Sequence, residues 1–68
     1  MNIDWQQVCL NLRRHKPLTQ VAKEVNCNYY TLVRISHGRI LEPTFMAGLR
    51  LLDLHLKLCP ERHKNIKF

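Results

Sequence analysis

The stretch from Pro17 to Gly38, PLTQVAKEVNCNYYTLVRISHG, restricts the fold more than any other part of this chain. Val21, Ala22 and Val25 fall on one helical face, Cys27 is apolar in the gap, and Leu32 and Ile35 resume the face beyond it. Two helices that cross closely need a small residue at the crossing, and Ala22 stands there. The gap needs a residue that tolerates left-handed backbone, for which Asn26 is the best choice after glycine. Asn28 follows as an N-cap whose side-chain oxygen can accept orphan N–H groups of the second helix, and Gly38 suits the position just past its end. The stretch therefore reads as two short helices joined by a tight turn.

That pattern is a helix-turn-helix signature, and at these residues the chain resembles the Cro/repressor type of phage and bacterial regulators. Within it, VAKEVNCNYYTLVRI is similar to the opening headpiece of the lac-repressor family. The resemblance covers roughly a third of the chain and rests on spacing, turn and all the inward positions. Two positions depart from it: Asn26 replaces the usual glycine, and Leu18 stands where many Cro-type proteins carry a phosphate-holding Gln. The resemblance implies a DNA-binding regulator in which the positions matching Tyr29, Tyr30 and Arg34 read bases.

Sixty-eight residues suffice for one domain of marginal intrinsic stability, so help from a partner is expected. Eleven Lys and Arg against five Asp and Glu give a net charge of +6, which favours a polyanionic partner. Placement says more than the total. No carboxylate lies between Glu24 and Glu42, so the second helix of the motif and its exit carry nothing that repels phosphate. An ordinary solvated surface is the plainer reading of the same charges.

Before the motif, Asp4 and Gln7 form a capping-box-like start, and Trp5, Val8, Cys9 and Leu12 recur on one face of a helix running to His15. Arg13, Arg14, His15 and Lys16 bunch at its end. They complement the helix dipole and, in a helix-turn-helix, some of them also approach the DNA backbone. Thr19 and Gln20 in the first turn after Pro17 can hold a phosphate.

The helix from Tyr29 to His37 is the expected reader. With Leu32 and Ile35 inward, Tyr29, Tyr30, Val33 and Arg34 turn outward, with Ser36 and His37 toward the far end. Arg34 suits a bidentate contact to guanine and Val33 a thymine methyl, while the tyrosines offer hydroxyls to bases or phosphate. Surface packing is the alternative for the tyrosine pair. Asn28, Thr31, His37 and Arg39 are expected at the DNA backbone, with Arg14, Lys16, Thr19 and Gln20. For Arg39 the alternative is a solvated loop.

Pro43 opens a fourth helix with two apolar stripes. Phe45, Leu49, Leu52 and Leu56 line one; Ala47, Leu51, Leu54 and Leu58 line the other. One stripe is expected on the domain core. The second, assigned to Ala47, Leu51, Leu54 and Leu58, is expected on the mate in a symmetric homodimer, unless a bent C-terminal segment covers it. Gly48 inside this helix suggests a close approach. Pro60 ends the helix, and residues 61–68 are expected as a basic, frayed tail in which Ile66 and Phe68 alternate as in a short strand.

Other chemistry has little support. The three cysteines Cys9, Cys27 and Cys59 form no CxxC pair, and the first two sit at apolar positions, as in a reducing cytosol. His55, Cys59 and His63 are spaced four apart, but Pro60 interrupts them and no fourth metal ligand is in view. There is no phosphate-binding glycine loop and no nucleophile paired with His and an acid, so no catalysis, cofactor or small-molecule ligand is expected. Met1, Asn2, Ile3 and Asp4 do not start a signal peptide, and no apolar run is long enough for a membrane.

The sequence thus predicts an all-α bundle of four helices, with residues 1–60 forming a helix-turn-helix domain with a dimerisation helix. The expected function is sequence-specific binding of double-stranded DNA by a dimeric, phage-type repressor in the bacterial cytoplasm, at the nucleoid. Repression by simple occlusion follows if no sensor domain is present. Two alternatives remain: an antitoxin or assembly factor that grips a protein through helix four, and nonspecific or RNA binding through the basic tail.

Overall fold

The structure, a computed structural model, describes residues 3–66. Among them the secondary structure is entirely helical, in five helices: α1 (Trp5–His15), α2 (Leu18–Glu24), α3 (Tyr29–Ser36), α4 (Phe45–Leu58) and α5 (Pro60–His63). Helix α1 packs against α2, α3 and α4, and α5 packs on α4. The radius of gyration, 10.4 Å, matches the value of about 11 Å for a folded chain of this length.

Each boundary has a local cause. At the start of α1, Asp4 Oδ1 accepts the Gln7 N–H at 3.1 Å. The reciprocal half of a capping box is not made, because the Gln7 amide turns to Asn11 instead. Helix α2 ends at Asn26, whose φ of 53° is left-handed. The Cys27 N–H returns to Ala22 O at 2.9 Å and the Asn26 N–H to Lys23 O at 3.4 Å, a Schellman closure. Asn28 Oδ1 then accepts the Tyr30 N–H at 2.8 Å and starts α3. Gly38, with φ 76°, ends α3 in the same way, the Arg39 N–H reaching Arg34 O at 2.8 Å. Pro43 precedes α4 rather than sitting in its first turn, and Thr44 occupies the cap position.

The core joins Trp5, Val8, Cys9 and Leu12 of α1 to Val21, Ala22 and Val25, to Leu32 and Ile35 of α3, and to Leu51 of α4. Burial pushes the Cys9 thiol up to about 12, aided by nearby Cys27, so it packs as a small apolar group. All three cysteines are free.

Three expectations are corrected. First, the stripe of α4 assigned to a mate faces inward: Ala47 and Leu51 belong to the chain's own core, Leu54 and Leu58 are half-buried against it, and of the other stripe Leu52 packs there too. The exposed positions are Phe45 (77%), Met46, Leu49 and Leu56, with Leu41 (86%) beside them in the preceding loop. Fit decides the facing. A Cβ on Gly48 would stand 3.0 Å from Trp5 Cη2, so the glycine side of α4 is the side that admits the indole. His55, eight residues after Ala47 on that side, is fully buried and bonds Asn11 Nδ2 of α1 through Nε2 at 3.0 Å.

Second, residues 61–66 are not a frayed tail. Pro60 starts a fifth helix, and Ile66 is buried in the core. Lys67 and Phe68, and with them the strand pairing of Phe68, lie outside the described residues, as do Met1 and Asn2. Third, Ser36 is buried rather than outward, its hydroxyl donating to Val33 O at 2.7 Å. No helix among the described residues is long and apolar enough to cross a membrane.

Candidate nucleic-acid interface

Burying Leu32 and Ile35 rotates the other side of α3 to solvent. Tyr29, Tyr30, Arg34 and His37 are exposed along it, and Thr31 and Val33 are half-buried at its margins. Tyr29 and Tyr30 meet edge to face with centroids 5.4 Å apart, so the exposed pair is mutually braced. No acidic residue occurs in α3.

Neighbouring elements flank this face. A shallow cleft of about 230 Å³ is lined by Arg13 from α1, Pro17 and Leu18 at the start of α2, and Tyr29, Val33, Ser36 and His37. A second, of about 440 Å³, is lined by Thr19 and Lys23 of α2 with Asn26 and Tyr29. Tyr29 therefore stands between two hollows, each bordered by a basic side chain. Tyr30 (67% exposed) and Arg34 lie outside both clefts, on the open surface. Arg14, Gln20 and Arg39 are also exposed, but neither cleft includes them.

Two expected backbone contacts are engaged within the protein. Lys16 Nζ lies 2.7 and 2.9 Å from the carboxylate oxygens of Glu24, tying the end of α1 to the end of α2. A phosphate there would have to displace Glu24. Asn28 uses its side-chain oxygen as the α3 cap, leaving only its amide NH2 to offer a ligand.

Lys23, not singled out from the sequence as a site residue, and Arg13, named there only as part of the basic cluster ending α1, join the face. Lys23 lies four residues after Thr19, and Arg13 stands in the same basic cluster as Arg14, so both were within reach of the spacing argument. Gln6 was missed altogether. Its Nε2 donates to Ser36 O at 3.2 Å and ties α1 to the last turn of α3, thirty residues away. Nothing in local spacing reveals such a tie.

The His55, Cys59 and His63 set does not gather as a metal site. His55 and His63 instead hydrogen-bond to each other, and among the described residues no group of three or more His, Cys, Asp or Glu is placed to hold a metal ion. Compared with protein-family models, with curated proteins and with solved structures, the chain matches none.

Proposed function

We propose that the chain is a sequence-specific double-stranded DNA-binding transcriptional regulator of helix-turn-helix type, with α3 as the reading helix. The observation that carries this is the outward row of Tyr29, Tyr30, Arg34 and His37 on a helix fixed at both ends and free of acidic groups. An α-helix with its side chains is about 10–12 Å across, and the B-DNA major groove, about 12 Å wide, admits it. Arg34 supplies the fork for guanine, Val33 a methyl contact, and Tyr29 and Tyr30 hydroxyl and ring contacts. Arg13, Arg14, Lys23, Thr19, Gln20, His37 and Arg39 hold the flanking phosphates, with Thr31 and the Asn28 amide at the edge. The reading assigns the chain no catalytic role, metal or cofactor.

The regulator acts as a homodimer, and the inward facing of Ala47 and Leu51 moves its pairing surface to Leu41, Phe45, Met46, Leu49 and Leu56. Half-sites in a near-palindromic operator then lie about 34 Å apart, a separation open to paired bodies of 26 × 23 × 20 Å. The same exposed stripe favours a second reading, an antitoxin or assembly factor that covers it with another protein. Sedimentation separates the two: a dimer of the chain alone supports the regulator, and a monomer soluble only with a partner supports the other.

The deciding experiment is selection of bound duplexes from a random pool by the purified protein. A near-palindromic consensus is expected. Retention of all sequences alike, with steep salt dependence, would replace the reading with nonspecific binding.

A further inference from the structure

Helix α5 has four residues, too few to persist by itself, so what holds it in place is tertiary. Two ties are visible. Ile66, just after it, enters the core, and His63 Nδ1 lies 2.9 Å from His55 Nδ1 with the rings 5.1 Å apart. The bond belongs to a chain that crosses the molecule. Gln7 Nε2 donates to Asn11 Oδ1 at 2.8 Å, and Asn11 Nδ2 donates to His55 Nε2 at 3.0 Å. With Nε2 accepting, the His55 proton sits on Nδ1 and is donated to His63 Nδ1. We propose that Asn11, His55 and His63 form an acid-sensitive clasp, which holds α5 and Ile66 on the α1–α4 body and releases them when both imidazoles are protonated.

The reason is proton counting. Only one proton fits between two Nδ1 atoms at 2.9 Å. One added proton is accommodated if the chain reverses: the His63 ring donates to His55, whose Nε2 then donates to a flipped Asn11 amide. A second has no place, since each ring would then present a donor to the other. Around His55 the surroundings oppose it further. The groups acting on buried His55 are His63 on α5 and His15 on α1, and neither is acidic. Cys59, at the α4–α5 junction, directs its thiol toward Asn11 O at 3.8 Å, and burial holds that thiol in its neutral form against the pull of Arg62. Glu61, Arg62 and Lys64 of this segment are exposed.

Burial, then His63 and His15, lowers the pKa of His55 from its ordinary 6.5. The released state therefore binds protons that the clasped state refuses. Stability from the clasp is complete above 6.5 and is lost as pH falls from there toward the lowered value. The clasp holds whether or not the chain binds DNA.

Amide exchange protection, followed by NMR at about pH 7.5 and about pH 5, tests it in the wild type and in His63→Asn, which removes one of the two imidazoles. In the wild type, protection across residues 61–66 is expected to fall about tenfold or more at the lower pH, while α1–α3 stay protected. In the variant only His55 remains to take a proton, and a reversed chain can accommodate that one, so the fall in α5 protection is expected to be much smaller than in the wild type. Unchanged α5 protection in the wild type, loss of protection in all helices together, or an acid response in the variant equal to that of the wild type would each overturn the clasp.

Discussion

Arg34 is the residue on which the base-reading proposal leans most, since it is exposed on the face that Leu32 and Ile35 leave to solvent. Arg34→Ala is expected to cost about 1 to 3 kcal/mol on the selected duplex and to relax preference at one base pair per half-site. Titrations against duplexes substituted at each position check this. An equal loss on every sequence would make Arg34 a phosphate contact. Its outward direction was readable because it follows from two inward neighbours in the same helix. The state of Lys16 was not. It meets Glu24 across a helix junction, eight residues away, and only the packing of α1 on α2 brings the pair together.

At the scale of elements, α2, the turn and α3 are bounded by residues whose backbone chemistry is unusual, and for that reason the sequence marks them well. Asn26 already occupies left-handed backbone, so Asn26→Gly is expected to leave stability unchanged or raise it by up to about 1 kcal/mol, whereas Asn26→Ala lowers it by about 1 to 2 kcal/mol. Asn28→Ala removes the α3 cap and should cost about 0.5 to 2 kcal/mol. Urea unfolding of the three variants measures both effects. The facing of α4 had no such local marker, because its two stripes are equally apolar. It is set by distant partners, the indole of Trp5 against Gly48 and the amide of Asn11 against His55. Helix α5 was missed for a related reason: four residues beginning with a proline carry almost no periodicity, and Ile66 places them by tertiary burial.

For the whole molecule, the proposed homodimer turns on the outer stripe of α4. Leu49→Glu puts a charge on the outer stripe and is expected to halve the sedimenting mass and weaken duplex binding while leaving helicity intact; an unchanged mass would move the interface elsewhere. Leu51→Glu, one core position away, should unfold the chain instead, as circular dichroism would show. Because α1 touches both the helix that carries Tyr29 and the helix that carries the outer stripe, a single rod sets the offset between grip and groove. A coupled pair of such bodies would behave as a fixed calliper. Inserting one base pair between the operator halves would then be penalised as severely as changing a contacted base, although no side chain touches the insertion.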